Sequence, residues 1–582
     1  MPVADTATPV LIVGGGPVGL TARALLARWG IRALLVEKHG ELSPFPRSRL
    51  VNVRSMEIYR RLGLAGRIAA RAFAPEYGRV RFRDTLHGPD FATAAMVGIH
   101  APVPESPVTG VVTSQDRLEP TLLDAARTPV RFGVELVGLT EEPDGVVARL
   151  ADHGSGAETR VRARYVLAAD GANSTVRELL GIGTTGPGAL GGFTTVVFDA
   201  DLGRWCARQP AGVYFTAHGT FLPLYPEGGW AWLGPTPEGA ADTDWSGIVT
   251  RALGADAGVR AEVVRVQHWT MNAFVADRLH HGRILLAGDA AHAVPIIGGL
   301  GLNAGVADAH NLCWKLAGVL RGWADPGLPA TYEAERRPVA HATLRQAVAN
   351  ARLTGRVQSR RRERLRTGEA ASAPVEVPWS ERYFAQLGLV LGVTYRSAAV
   401  LSAEDLPPGP PAPDTGPDHV PAAERGGYPE PDHVPAAERG GYPEPDHVPA
   451  AERGGYPEPD HVPAAGQGGC PEPDYIPTAE PGRRMPHRWL GPGRSTLDTC
   501  GEWFTLLTPD PARWAPPPGT PWPLRVVPLP GEHADAWGLG PRGALLVRPD
   551  GHIGARWTEP PASGTTLCHA LGAITCSAPA VP

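Results

Sequence analysis

Lysine is nearly missing from this 582-residue chain: Lys38 and Lys315 are the only two, so arginine carries almost all the positive charge. Cysteine is scarce as well. The six cysteines, at 206, 313, 470, 500, 568 and 576, are scattered and form no Cys-x-x-Cys pair, which signals neither a metal site nor a disulfide framework. No run of eighteen apolar residues is present. The opening MPVADTATPV has neither a charged n-region nor an apolar h-region, so the expectation is a soluble, cytoplasmic protein without a membrane partner. A formal net charge of −5 gives no global case for nucleic acid. At 582 residues the chain exceeds a single core, and two to four domains are expected.

What is present concentrates in three places. The stretch from Gly282 to Leu316 reads as a buried strand (Ile284–Ala287), a Gly-Asp turn, a glycine-rich loop and an amphipathic helix. Asp289 falls at the carboxyl end of that strand, where open α/β sheets bind ligands. Gly288, Gly298, Gly299, Gly301 and Gly305 would let backbone approach a flat ligand and free N–H groups to donate to it. Asn303 is expected to open the helix as its N-cap. A crossover whose glycines serve packing alone is the plain alternative.

Residues 9–37 form the second place: a short strand, then Gly14-Gly15-Gly16-Pro17-Val18-Gly19 in the GxGxxG pattern, a helix ended by Gly30, and a second strand ending in Glu37. Gly14 permits the tight turn, Gly16 the approach of a pyrophosphate, and Gly19 close helix–strand packing; Glu37 is placed for a ribose hydroxyl. The acidic Glu37 disfavours a 2′-phosphate, so FAD or NAD is expected. The third place is Asp170-Gly171-Ala172-Asn173-Ser174-Thr175-Val176-Arg177, an aspartate at a strand end before a helix start, aimed at a diphosphate or ribose.

Between these, Arg47 and Arg49 lie on a proline-containing loop before a helix from about Val53. Arginines there can clamp phosphate or a carboxylated substrate, with a solvated guanidinium as plain a reading for Arg49. Residues 75–110 suggest an excursion into a β-rich unit, and Ser114 caps a helix bearing Gln115 and Arg117 at its start. From 184 to 275 period-2 alternation indicates an antiparallel sheet. Its apolar face would wall a flat pocket with Phe215, Phe221, Tyr225, Trp230, Trp232, Trp269 and Met271, core packing being the plainer role for each. A helical region from Leu328 ends in a basic run over 351–366, read as a solvated face. A fourteen-residue unit, PDHVPAAERGGYPE, then recurs from Pro417, Pro431, Pro445 and Pro459, with a decayed copy at Pro473. Its proline and glycine density marks a spacer, and duplication accounts for His419, His433, His447 and His461 without a metal. A last module of short strands follows Gly482.

GGGPVG with Glu37, DGANSTVR and GDAAHAVPIIGGLGLN, in that order and spacing, resemble the single-component FAD-dependent aromatic hydroxylases of the p-hydroxybenzoate hydroxylase-like family, over roughly 9–360. The tail from PGRRMPHRWL to LLVRPDGHIGARW is similar to the thioredoxin-like C-terminal domain of the phenol and aromatic polyketide hydroxylases, including those of the tetracenomycin and angucycline type. The resemblance implies an α/β FAD-binding (Rossmann-like) domain with an inserted antiparallel β-sheet substrate domain, plus a C-terminal thioredoxin-like α/β domain. The corresponding bounds are 1–75, 111–183 and 276–365 for the FAD part, 76–110 and 184–275 for the substrate part, 366–400 for a helical connection, 401–481 for the repeat linker and 482–582 for the tail.

Carried onto this chain, the resemblance gives the FAD pyrophosphate to Gly14, Gly16 and Gly19 with Pro17, and the ribose to Glu37 beside Lys38. Arg47 matches the arginine of the family's Pro-Arg-Ala loop, with Ser48 in place of the alanine. Gln115 and Arg117 match FAD contacts, Asp170 and Gly171 a motif shared by FAD and NADPH, and Asp289 the ribityl contact. Pro295 through Asn303, with Gly299, Gly301 and Leu302, would border the isoalloxazine. The implied reaction is reduction of FAD by NADPH or NADH, addition of O2 to give a flavin C4a-hydroperoxide, and attack on it by an electron-rich aromatic polyketide. No motif fixes a base; Tyr225 and His268 are catalytic candidates because each sits on a β-domain strand, although core packing is the plainer role. A homodimer is compatible with the family. A Baeyer–Villiger outcome uses the same scaffold, and a flavoprotein that only binds an aromatic ligand is a further reading. A flavin-dependent halogenase is a poor rival: it needs an active-site lysine, and neither Lys38 nor Lys315 is placed to serve.

Overall fold

The computed structural model describes residues 6–254, 258–368, 386–402, 475–514, 516, 519–559 and 565–577. The fourteen-residue repeats, their histidines and Cys470 lie outside the described residues. The elements that position the site are β1 (Thr6–Val13), α1 (Pro17–Arg28), β2 (Ala33–Glu37), α2 (Val53–Arg61), α3 (Gln115–Leu123), β3 (Glu158–Ala168), β4 (Ile284–Leu286), α4 (Gly301–Arg321) and α5 (Thr331–Thr367).

Strand 130–132, β2, β1, β3 and β4 lie side by side and all run parallel. Parallel sheets are covered on both faces, which is why Val10–Val13, Leu34–Val36 and Val166–Ala168 read as unbroken apolar runs and are buried. β1 has β2 on one side and β3 on the other, so the loops leaving β1 and β3 diverge and open a crevice at the switch point. The meander expected before Asp170 is present: strands 134–142 and 145–152 pair antiparallel with each other and with the first half of β3.

The second sheet has eight strands, in the order 292–293, 262–276, 184–199, 228–235, 219–225, 213–216, 79–83 and 90–95. It is antiparallel except where 79–83 meets 213–216, and the 75–110 excursion supplies its far edge. The helix Trp245–Leu253 closes one face over Val196, Phe198, Tyr214, Phe221, Trp230 and Trp232. The opposite face gathers Leu222, Leu224 and Ala231 with Val197, Val213, Leu233 and Tyr225. The expected aromatic wall is thereby corrected in part. Phe221, Trp230 and Trp232 are core under the helix, while Tyr225, Phe215 (stacked on Phe82, ring centres 5.2 Å apart) and Trp269 (stacked on Phe193) belong to the other face, whose centre at Leu222, Leu224 and Ala231 is aliphatic.

The C-terminal strands form a four-stranded sheet in the order 524–528, 504–508, 544–547, 553–557, its first pair parallel and the rest antiparallel. It docks on α4: Trp314 stacks on Trp323 at 6.4 Å, and Phe504 meets Trp314 edge-on at 5.8 Å. Around this contact runs a buried ionic network. Lys315 Nζ lies 2.8 Å from Glu335 on α5, Arg548 binds Asp550, and Arg484 binds Glu57 on α2 at 2.9 and 2.5 Å. Among the described residues no helix is long and apolar enough to cross a membrane.

Candidate active site

The crevice begins at the glycine turn after β1. Gly14 has φ +107, and a Cβ there would lie 2.2 Å from the Ala169 carbonyl oxygen; a Cβ on Gly19 would lie 2.0 Å from the Gly14 carbonyl. A Cβ on Gly16 would meet nothing within 4 Å, and Gly16 caps α1 without any side-chain acceptor. The first N–H groups of that helix therefore have no capping side chain, and the backbone beside them leaves room, the arrangement that receives a phosphate. Glu37 Oε2 accepts from the Gly15 N–H at 2.6 Å and its Oε1 from the His39 N–H at 3.0 Å, which ties the end of β2 to the turn. Lys38 is exposed beyond it.

After β3, Asp170 accepts from the Ser174 hydroxyl at 2.6 Å and the Val176 N–H at 3.1 Å, and burial pushes its carboxyl up. Gly171 takes φ +85 with open space around it. Arg177, expected to face a diphosphate, instead donates to the carbonyls of Ala290 at 3.1 Å and Ala172 at 2.8 Å, under the Phe274 ring. It fastens this loop to the turn that carries Asp289. Asp289 is surrounded by protein on most sides, and burial pushes its carboxyl up, yet the residue keeps open surface. That open surface, at the carboxyl end of β4, is what a ligand would meet.

The glycine-rich loop is clamped. Gly299 has φ +63, and a Cβ on it would lie 2.8 Å from the Leu50 Cβ. The helix begins at Gly301, not at Asn303 as the residue type suggested. Asn303 is instead a cross-brace: Nδ2 donates to the carbonyls of Leu50 at 2.9 Å and Gly299 at 2.7 Å, while Oδ1 accepts from the Asn52 N–H at 2.9 Å and the Ser55 hydroxyl at 2.7 Å. Pro295 is buried and Leu302 half-buried beside the loop.

Behind the loop lies a group that the sequence reading missed. Asp308 on α4 meets His292 Nε2 at 2.6 Å, accepts from Arg336 Nε at 2.7 Å and from the Gly288 N–H at 3.1 Å. Burial alone would raise its carboxyl, but His292 and Arg336 hold it down at about 2. An aspartate facing the interior from a helix is the one sequence signal that could have shown it.

The start of α3 completes the site. Gln115 donates to Glu119 at 2.7 Å; Glu119 is buried, its second oxygen has no partner among the described residues, and burial pushes it up to about 7. Ser114 occupies the N-cap position, but its hydroxyl caps nothing. The Tyr225 hydroxyl donates to Asp116 at 2.5 Å, and burial with that bond pushes it up to about 12, so it keeps its proton at neutral pH. Arg117 lies over the Tyr225 ring at 4.5 Å and pairs with Glu227. Arg47 is exposed, whereas Arg49 is only 8% exposed. His268 is on the other side of the second sheet: it pairs with Thr194 at 2.8 Å and lies beside Trp245 of the covering helix. The structure thus groups Tyr225 with Gln115 and Arg117 and leaves His268 apart.

Uncapped N–H groups at α1, a carboxylate at the end of β2, Asp170, and exposed Asp289 after β4 fit a dinucleotide with a polyhydroxyl arm. Residues 7–347 match the FAD binding domain family, and residues 478–578 match the C-terminal domain of aromatic-ring hydroxylases. A 4-methyl-5-nitrocatechol 5-monooxygenase of Burkholderia sp is 39% identical over 366 residues, 59% of this chain and 66% of that protein. The chain spans just under two thirds of that relative's length. A tetracenomycin A2 monooxygenase-dioxygenase of Streptomyces glaucescens is 32% identical over 603 residues, 94% of this chain and 93% of the relative. The solved flavin-dependent monooxygenase PieE, in complex with FAD and substrate, superposes with a TM-score of 0.79 at 30% identity, covering 99% of this chain and all of that one. With the FAD binding domain family matched across more than half of its length and the aromatic-ring hydroxylase C-terminal domain behind it, the chain belongs to the FAD-dependent aromatic hydroxylases, a family of flavin monooxygenases.

Proposed function

We propose that this protein is a monooxygenase that consumes NADPH or NADH and O2 and inserts one oxygen atom into an aromatic polyketide-type metabolite, the second oxygen atom leaving as water. The observation that carries the reading is the convergence of the Gly14–Glu37 turn, the Asp170 loop, Asp289 and the Asn303-braced loop on one crevice, in a chain similar from end to end to a named monooxygenase. FAD, when bound, supplies the electron transfer and the activation of oxygen.

The protein's own share is binding and placement. Gly14, Gly16, Pro17 and Gly19 would cradle the pyrophosphate and Glu37 the ribose, with Lys38 and Arg47 at the rim. Gln115, Arg117, Asp170, Gly171 and Asp289 would flank the rest of the cofactor, and Pro295, Gly299, Gly301, Leu302 and Asn303 the flat ring. Segments 1–75, 111–183 and 276–365 would hold cofactor, 76–110 and 184–275 would hold substrate, and 482–582 would be a thioredoxin-like support. The aliphatic face at Leu222, Leu224 and Ala231 suits the exclusion of water from a flat aromatic guest.

The test is NADPH and NADH oxidation by FAD-loaded protein, with and without a panel of aromatic polyketides, with product masses read in parallel. Substrate-stimulated oxidation with one added oxygen atom is the expected result. Protein that takes up no flavin and shows no stimulation by any aromatic compound would sink the reading.

A further inference from the structure

Arg49 is a buried cation with no acceptor. It is 8% exposed, and none of its three guanidinium nitrogens finds a hydrogen-bond partner among the described residues or reaches bulk water. The Phe73 ring lies 5.3 Å from the guanidinium carbon. The charged and titratable groups that act on Arg49 are Asp116 and Tyr225, and Asp116 already accepts the Tyr225 hydroxyl at 2.5 Å. The other Asp116 oxygen is likewise buried and unpartnered. A guanidinium left unpaired in the interior is strongly unfavourable, so an oxygen acceptor is expected to reach it in the working protein.

The surroundings say what kind of acceptor. Leu50, the next residue, packs with Phe73, Val112 and Phe215, while Tyr225 packs with Leu222 and Leu224 on the aliphatic face of the second sheet. The Leu50 carbonyl is the one that Asn303 holds against the glycine-rich loop. A forked cation bordered by apolar side chains suits the oxygen of an aromatic ring better than a free, hydrated anion.

The neighbouring chemistry points the same way. An electron-rich ring is a better nucleophile as its phenolate, yet Tyr225 keeps its own proton and His268 lies on the far face of the sheet. Asp116, the carboxylate that acts on Arg49, already accepts the Tyr225 hydroxyl through one oxygen. A fixed positive charge achieves the same end by stabilising the ionised oxygen, and the phenol proton then leaves to solvent.

We propose that Arg49 recognises the substrate by an acidic ring oxygen and holds it ionised, so that a fixed positive charge activates the phenol. The assignment rests on the monooxygenase reading above for its chemical meaning, but its test does not.

FAD-loaded full-length protein and its Arg49→Lys and Arg49→Met variants would be titrated with dihydroxyanthraquinone and with its dimethyl ether. The red-shifted absorbance of the ionised phenol would be followed against pH, with FAD affinity measured alongside. The expected result is a lowered phenol pKa on the wild type, lost in Arg49→Met and largely kept in Arg49→Lys. Affinity for the dihydroxy compound should fall by about tenfold or more in Arg49→Met, as for loss of a charge-assisted hydrogen bond, while the ether is unaffected. Equal binding and equal ionisation in all three proteins would overturn the assignment. So would a wild type that binds neither probe, or an Arg49→Met variant that loses FAD and both probes together, which would give Arg49 to the cofactor or the fold. A wild type that ionises the probe but never couples NADPH or NADH oxidation to any aromatic compound would leave Arg49 assigned and overturn the monooxygenase reading alone.

Discussion

Arg548, from the C-terminal sheet, donates to both carboxylate oxygens of Glu335 on α5, at 2.5 and 2.9 Å, with neither side chain exposed to solvent. Lys315 shares the same carboxylate at 2.8 Å, and Ser397 donates to it at 2.6 Å. Three other segments of the chain thus meet on one glutamate of α5.

Arg548→Met should therefore destabilise the protein by about 3–5 kcal/mol, because Glu335 and Asp550 lose the cation that both depend on. Arg162→Ala is the control: its pair with Glu142 has half of the arginine side chain exposed, and its loss should cost no more than about 1 kcal/mol. Urea unfolding of the two variants beside wild type would show the contrast.

Asp308 predicts an acid limb. Its folded carboxyl sits at about 2 against an ordinary 3.8, held down by His292 and Arg336 against the effect of burial. A depressed carboxyl contributes stability that is complete above the unfolded value and is lost as pH falls through the folded one. Asp308→Asn should be less stable at neutral pH and should show a flatter decline between pH 3.8 and about 2, measurable by chemical unfolding across that window.

Glu119 predicts the opposite slope. Burial raises it to about 7 from an ordinary 4.5, so its contribution is fully present below 4.5 and is lost as pH rises through 7. Glu119→Gln should remove that loss and leave the apoprotein more stable than wild type above pH 7, by up to about 3 kcal/mol, on thermal or chemical unfolding.

Two glycines should separate folding from cofactor binding. Gly16 has φ −75 and open space where a Cβ would go, so Gly16→Ala should leave apoprotein stability within about 0.5 kcal/mol of wild type. Any loss of FAD affinity in that variant then reports on the space itself. Gly14→Ala puts a Cβ against the Ala169 carbonyl at φ +107 and should impair both. Flavin titration beside unfolding curves would tell them apart.

The glycine turn after β1 was legible in the sequence because its signals are local: Gly14, Gly16, Gly19 and Glu37 lie within one β-α-β unit, and turn, helix and strand each have a short-range pattern. Asn303 was misread for a related reason. Its residue type favours a helix cap, but its bonds go to Leu50, Asn52 and Ser55, about 250 positions away, and long-range partners outrank a local preference. Period-2 alternation showed that strands 213–235 have two faces, but not which face the helix Trp245–Leu253 would cover. The ionic network was invisible for the same cause: Glu335 meets Lys315 across 20 positions and Arg548 across 213. Read singly, charged residues on helices look like solvent-facing ones.

That network changes the standing of the long segment between the two halves of the chain. Arg484 binds Glu57 and Arg548 binds Glu335 across the two sides, so parting them would strip buried Arg484 of its carboxylate and leave Glu335 with Lys315 as its remaining cation. The stretch 403–474 therefore need not act as a tether. A single proteolytic nick there should yield two polypeptides that co-elute as one particle and part only under denaturant, and each half made by itself should be the poorer folder. A C-terminal unit exchanged from a relative would have to bring counter-charges for Glu335 and Glu57, so the two halves are constrained to change together.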